Sequence, residues 1–381
     1  MKYLIYVDCL ERVDFFKRVT NSLDGTVLFL TNRLSIVFAL KDFEVKMIKN
    51  QNYDERLGDD ELAQTLSIAG KYQDLNQARI LSSSVFAAFD LIFDEYNFDR
   101  LLLWNGSTTI AKSLAKCAQN KNLKTTFFEL SNLPSKLFWD HCGVNAASSL
   151  YQNPQILDGY IVDEDVWQNW KNFYISQKSV VKQSSNKHKI RYLQILDYLG
   201  FFAGLAKEDF RNPFEVVTKK FKNKFSKNFE ICDLESEFVF VPLQVSNDTQ
   251  IILNSDFDNF DAINFAKQKY PQKQIYIKIH PAEENQEFIS KIEKLASKLE
   301  CKICSNETKE LINKASNIVV INSTVGLEAM ILCKNIDILG RAVYVKFDEI
   351  RLKNYICAHL ANIEYFDNSP INYKEMQRVL G

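Results

Sequence analysis

No stretch of the 381 residues holds the roughly eighteen consecutive apolar positions that a helix needs to cross a bilayer, which excludes a helical span. A secretory leader is not expected either: "MKYLIYVDCLERVD" turns acidic and polar directly after Tyr6. Charge of one sign is also missing. Lys and Arg number 47 against 48 Asp and Glu, a net charge of -1, whereas a dedicated nucleic-acid binder carries a basic surplus; no nucleic-acid partner is expected. The eight cysteines are scattered without the dense framework of a small disulfide-built domain, so they read as reduced thiols in a cytoplasmic protein. Cys301 and Cys304 form one C-x-x-C, but no second pair accompanies it, and "LECKICSN" reads as a short strand between helices. What is present is the make-up of an ordinary globular protein, 46% hydrophobic and 25% charged, long enough for two domains.

Strand and helix patterns alternate through the first part. "YLIYVD", "TVLFLTN", "EVKMIKN", "RLLLWNG" and "LKTTFFEL" read as strands. "RVDFFKRVTNSL", "RLSIVFALKD", residues 55–96 and "STTIAKSLAKCAQN" read as mainly helical. The rhythm restarts at "EFVFVPLQV" and continues through "KQIYIKIHP", "CKICS", "NIVVIN" and "NIDIL" with helices between them. Such alternation predicts an α/β fold with two parallel sheets. The expected organisation is a Rossmann-like lobe over 1–150, a helical insertion or linker over 151–235, a second Rossmann-like lobe over 236–345, and a helical or irregular tail over 346–381. Two such lobes in series predict a cleft, and ligands of these sheets bind beyond the carboxyl ends of strands.

Several strand ends carry chemistry. "NIVVINSTVGLEAM" runs from a buried strand into Asn322, Ser323, Thr324, Gly326 and Glu328. A helix N-terminus with hydroxyls is an anion site, and a glycine there lets a ligand approach the backbone. Glu328, about one turn in, lies beyond capping-box distance of Ser323 and suits a pair of vicinal ribose hydroxyls. A plain serine cap with a solvated glutamate is the alternative. In "YIKIHP", Lys278 and His280 alternate with Ile277 and Ile279 and so share a face, suiting a phosphate. "VPLQVSNDTQ" places Gln244 before the strand's polar loop and Asp248 within it; an ordinary turn aspartate is the alternative. In the first lobe "FFELSNLP" ends a strand with Glu129, "WNGSTT" turns through Asn105, and "DHCGVNAASS" carries His141, Gly143 and Asn145. Paired carboxylates are the equipment of retaining glycosyl chemistry, one as nucleophile and one as acid/base. Asp163–Asp165 and Asp256–Asp258 match D-x-D patterns, but each precedes a helix and reads as first-turn acids, so no metal is expected. The run "TKKFKNKFSKNF" over 218–229 reads as a solvated face or as contact with an anionic membrane surface.

"VFVPLQVSNDTQI", "KIHPAEE" and "INSTVGLEAM", in that order, resemble the bacterial capsule polysaccharide synthesis family of retaining β-Kdo glycosyltransferases. "WNG", "FFELSNLP" and "DHCGVN" look like that family's first lobe. The resemblance covers about 99–150 and 237–342. It implies a GT-B fold whose tail returns to the first lobe, and CMP-β-Kdo as donor without any cofactor. It implies Asp248 as nucleophile, Glu129 as acid/base on the acceptor, and Lys278 and His280 on the CMP phosphate. Asn322, Ser323, Thr324, Gly326 and Glu328 would hold phosphate and ribose, and Gln244, Asn145 and Asn105 would line the cleft. The implied acceptor is a lipid-linked Kdo or a sugar of an O-antigen or capsule repeat, met in the cytoplasm or at the inner-membrane surface. Another CMP-nonulosonic acid such as pseudaminic acid, a UDP-sugar transferase or epimerase of the same fold, and a non-catalytic nucleotide sensor are the competing readings.

Overall fold

The computed structural model describes residues 1–177, 187–208 and 229–381; the Lys/Phe run at 218–228 lies outside them. The strands are β1 (Lys2–Tyr6), β2 (Thr26–Thr31), β3 (Val45–Met47), β4 (Arg100–Trp104), β5 (Lys124–Leu130), β6 (Leu137–Asp140), β7 (Phe238–Pro242), β8 (Gln274–Lys278), β9 (Lys302–Ile303), β10 (Asn317–Val320) and β11 (Ile336–Ile338). The helices through the first lobe are α1 (Val13–Asn21), α2 (Leu34–Ala39), α3 (Asp59–Ala63), α4 (Leu66–Ala69), α5 (Leu75–Tyr96), α6 (Thr109–Asn120) and α7 (Ser149–Gln152). Then come α8 (Glu164–Ser176), α9 (Lys187–Phe202), α10 (Thr249–Asn254), α11 (Asn259–Lys269), α12 (Gln286–Lys298), α13 (Thr308–Lys314), α14 (Thr324–Ile331), α15 (Glu349–Asn354) and α16 (Tyr373–Leu380). No helix among the described residues is long and apolar enough to cross a membrane.

The described residues form two compact units. Unit 1 comprises 1–152, 187–208 and 358–381; unit 2 comprises 153–177 and 229–357. The sheet of unit 1 has the order β3-β2-β1-β4-β5-β6, parallel except for β6. The sheet of unit 2 is wholly parallel, in the order β11-β10-β7-β8-β9. Both are Rossmann-like sheets of the GT-B type. In each, the chain starts at the centre, winds to one side and then crosses to the other, which makes a switch point between β1 and β4 and between β7 and β10. Helices cover both faces, so the strands are continuous apolar runs, as in β4, buried at every position. The covering helices are amphipathic: α12 turns Phe288, Ile289, Ile292 and Ala296 inward.

The single insertion expected over 151–235 is divided instead. Residues 153–177 pack on unit 2, because Arg351 forks onto Asp158 (2.8 Å to each oxygen) and Asn354 donates to the carbonyls of Leu157 and Tyr160 (3.0 Å each). Trp167 of α8 is buried there. Residues 195–208 pack on unit 1 through two buried carboxylates. Asp197 accepts from Ser35 N–H at the start of α2 (2.8 Å), and Glu208 accepts from Thr109 N–H (2.5 Å) and Ile110 N–H (3.2 Å) at the start of α6. The segment from 358 closes unit 1. Arg18 donates to the carbonyls of Glu364, Tyr365 and Ser369, Leu137 bridges Ala361, and Met376, Val379 and Leu380 of α16 join the core. Two further features were not anticipated: the antiparallel β6, and the breaks that divide 55–96 into α3, α4 and α5.

His359 lies in this closing segment, 4% exposed and stacked on Trp139 at 5.3 Å. Burial holds its imidazole neutral down to about 4, against an opposing pull from Asp140 and with a smaller push in the same direction from the Arg378 guanidinium. The unfolded chain takes up this proton first as pH falls, so the stabilisation is complete above about 6.5 and is lost between 6.5 and 4. At 1.36 kcal/mol per pKa unit this amounts to roughly 3 kcal/mol. His359→Phe is expected to flatten the fall in melting temperature across that window relative to the natural protein, measured by pH-dependent thermal unfolding.

Candidate active site

In unit 2, three of the sequence-predicted motifs leave the carboxyl ends of adjacent strands, β10, β7 and β8. Neighbouring strands lie about 4.8 Å apart, so their loops converge on one region at the switch point. The loop after β7 is braced by side-chain amides. Gln244 exchanges backbone bonds with the Asn259 side chain (3.0 Å each), and its Nε2 donates to Asn322 Oδ1 at 3.1 Å. Asn322 donates in turn to the carbonyls of Gln250 (2.9 Å) and Asn254 (3.1 Å), which fixes α10. Asn322 is therefore a strut, with its amide spent inside the protein.

Asp248 caps α10 with one oxygen, accepting from Gln250 N–H at 2.7 Å. The cap holds the carboxylate in place, and its other oxygen has no hydrogen-bond partner among the described residues. His280 lies two residues past the end of β8, exposed, its Nδ1 accepting from Ala282 N–H at 3.1 Å. Lys278 does not accompany it: its ammonium is held by the carbonyls of Ser305 (3.4 Å) and Asn306 after β9.

Ser323 stands at the N-cap of α14 without a side-chain cap bond, and no other side chain among the described residues bonds to this helix start. The Ser323 hydroxyl and Gln244 Oε1 are both buried and unpartnered among the described residues. Orphaned buried polar atoms are costly, and two of them at an uncapped helix N-terminus mark a place for a hydrogen-bonding ligand. Thr324 opens this helix. Gly326 serves packing rather than ligand approach, since a Cβ there would lie 2.4 Å from Tyr344 Oη. Glu328 is neither solvated nor alone. The hydroxyl of Tyr174, from α8, bonds to it, and burial raises its carboxyl above the usual range against the pull of Tyr174 and Lys309. Tyr174 stacks on Trp170 at 5.3 Å, and Trp170 on Trp167 at 5.7 Å. Nothing in the sequence around Tyr174 signals this role, because its partner is 154 positions away.

In unit 1 a second cluster occupies the carboxyl ends of β1, β4 and β5. Asn105, with a left-handed backbone, donates through Nδ2 to Glu129, whose other oxygen accepts from Leu130 N–H at 2.9 Å. Two members were missed: Asp8, directly after β1, and Arg12, which pairs with it and lies 4.9 Å over the Trp104 ring. The signal was available in "YVDCLER", an acid just past a strand with a base one helical turn on. Burial raises the Glu129 carboxyl above the ordinary range, while Arg12, Leu130 N–H and Asn105 pull it down. A carboxyl shifted in this direction takes up a proton more readily than an ordinary one, as a general base must. Asn145 stands in a left-handed turn after β6, its carbonyl accepting from Ser148 at 2.7 Å. Of the D-x-D acids, Asp258 caps α11 by accepting from Phe260 and Asp261 N–H, Asp256 pairs with Arg341 at 2.9 Å, and Asp163 precedes α8 without a side-chain cap bond. Cys301 and Cys304 flank β9, both buried.

Residues 99–347 match the family model described as capsule polysaccharide biosynthesis protein, and the chain belongs to that family. A curated relative, Protein FixF of Sinorhizobium fredii, is 30% identical over 257 residues, 66% of this chain and 51% of the relative. The chain thus spans about half the length of the curated relative it matches. A solved structure of Thermosulfurimonas dismutans KpsC, beta Kdo 2,7 transferase, is similar in fold, with TM-score 0.52 and 14% identity over 100% of this chain and 99% of that one. The beta Kdo 2,4 transferase of the same KpsC matches 74% of this chain and 88% of its own, with 15% identity and TM-score 0.44.

The packing at Gly326 yields a direct test. Gly326→Ala drives a methyl against Tyr344, whose hydroxyl donates to the Ser323 carbonyl, and is expected to cost about 1–3 kcal/mol, read as a fall of several degrees in melting temperature. Removing the oxygen with Tyr344→Phe should recover part of that loss in the double variant.

Proposed function

We propose that the chain is a retaining glycosyltransferase that moves β-Kdo, or a closely related ulosonic acid, from its CMP ester to a glycan or glycolipid acceptor. The observation that carries the reading is the uncapped N-terminus of α14 at the switch point of unit 2, with the orphaned Ser323 hydroxyl and Gln244 carbonyl oxygen, beside the loop that holds Asp248. Family membership and the fold likeness to a Kdo transferase support it. The corresponding helix start in unit 1 is already filled by Glu208, so the donor nucleotide is assigned to unit 2.

In this reading the α14 N-terminus, Ser323, Thr324 and His280 bind the phosphate, and the Glu328 carboxylate receives the two ribose hydroxyls. An Asp248 oxygen attacks the anomeric carbon. The bond from that carbon to the phosphate oxygen breaks, and CMP leaves with the electron pair. The acceptor hydroxyl then attacks the same carbon, gives its proton to Glu129 and releases Asp248. Two inversions give net retention. The raised Glu129 carboxyl suits this proton transfer. No residue described here is asked to hold a metal, because the α14 N-terminus and His280 meet the charge of the departing monophosphate.

Incubation with CMP-Kdo generated in situ and a panel of saccharide and glycolipid acceptors, read by mass spectrometry, tests the activity. Asp248→Asn keeps an acceptor to cap α10 and is expected to lose transfer by on the order of a thousandfold or more while keeping CMP affinity and melting temperature. Stabilisation by UDP but not by CMP would turn the assignment to a UDP-sugar enzyme. Tyr174→Phe removes the hydroxyl that orients Glu328 and keeps the ring stack. It is expected to lower the preference for CMP over 2′-deoxy-CMP, measured by calorimetry, by about fivefold, since one hydrogen bond to a charged group is at stake.

A further inference from the structure

Unit 1 contains a cavity of about 830 Å³ beside α6 and β5, within the size range of small-molecule sites. Its walls are partly apolar, with Phe127 and Leu123, and partly basic, with Arg100, Lys112, Lys124 and His141. Lys116 also borders it but is matched by Glu61 at 3.1 Å.

Arg100 is the unusual member. It opens β4 and is only 3% exposed. Its Nη1 donates to the Thr126 hydroxyl at 2.9 Å, and no carboxylate among the described residues pairs with it. A guanidinium has five N–H donors, and burying its charge without an anion is costly. The other buried charges of unit 1 among the described residues have partners: Arg18 has three carbonyls, Lys136 has Asn362 Oδ1, and Asp140, Asp197 and Glu208 accept from backbone N–H groups. Arg100 instead faces a cavity that three further basic side chains border. Thr126 links it to His141, whose Nδ1 is 3.2 Å from the same hydroxyl. Burial, and to a lesser degree the nearby Arg100 charge, lower the His141 imidazole below its ordinary range, so the excess positive potential is felt there.

We infer that this cavity is a binding site for an oxyanion, a carboxylate or phosphate carried on a sugar-sized body, with the Arg100 fork as its anchor. A planar fork matches either group through two parallel bonds, and Lys112 adds a second charge. The apolar wall takes the body of the ligand. Asn105 borders the same cavity beyond the far end of β4 from Arg100. The inference stands on unit 1 alone and does not depend on the identity of the donor nucleotide.

Thermal unfolding with inorganic phosphate, glucuronate and glucose, each against sodium chloride at matched ionic strength, tests it on the full chain. Phosphate, glucuronate or both are expected to raise the melting temperature by several degrees beyond chloride, with glucose inert; the responding probe tells which oxyanion is preferred. Arg100→Met should abolish that response without lowering the melting temperature in chloride, and Arg100→Lys, which keeps the charge but loses the fork, should weaken it severalfold. Absence of any oxyanion-specific shift in the natural protein, or the same shift in Arg100→Met, would overturn the inference. So would a variant that loses more than about five degrees in chloride or fails to fold, since Arg100 would then be a structural strut.

Discussion

The hydrogen bond from Gln244 to Asn322 joins the two loops on either side of the switch point of unit 2, and the rest of the candidate site depends on it. Through Asn259 it fixes the end of β7, and through Asn322 it reaches the carbonyls of Gln250 and Asn254. Those carbonyls hold α10, and α10 is the helix that Asp248 caps. The position of a carboxylate on one loop is thus set by an amide on another. Among the described residues the same network leaves Gln244 Oε1 without a partner, next to a helix start that no side chain caps. A ligand with hydrogen-bonding groups would complete what the protein leaves unfinished.

The two units share one winding but treat their helix starts differently. In unit 1 the N–H groups opening α2 and α6 receive Asp197 and Glu208, carboxylates supplied by the protein from 195–208. In unit 2 the start of α14 receives no carboxylate from the described residues. A helix N-terminus attracts one anion, internal or external. On that physical ground the start of α14 stays open to an outside anion, while the starts of α2 and α6 are already occupied. Unit 1 keeps its own polar cluster of Asp8, Arg12, Asn105 and Glu129, held by short contacts at the ends of three strands.

Much of this was legible in the sequence. Buried parallel strands are nearly pure apolar runs, so "RLLLW" and "FVFVP" announced β4 and β7, and amphipathic spacing announced α12. The strand-end motifs also gave the region of the site, because residues beyond a carboxyl end have to leave the sheet at a known edge. What stayed hidden was long-range. Tyr174 reaches Glu328, Glu208 reaches Thr109, and Lys278 turns to Asn306, and none of these partners is implied by local spacing. Gly326 looked like an opening for a ligand and is in fact a concession to Tyr344. Residues 153–177 read as part of one helical insertion or linker over 151–235 because their partners, Arg351 and Asn354, lie almost 200 positions on.

The central claim is that the loops after β7, β8 and β10 bind one cytidylate. Hydrogen–deuterium exchange of the full chain with and without CMP tests it most directly. The account predicts added protection confined to three segments, 243–252, 279–285 and 321–328, together with the α8 peptide that carries Tyr174. Protection at the start of α6 in unit 1 instead, or none in those three segments at saturating CMP, would contradict it.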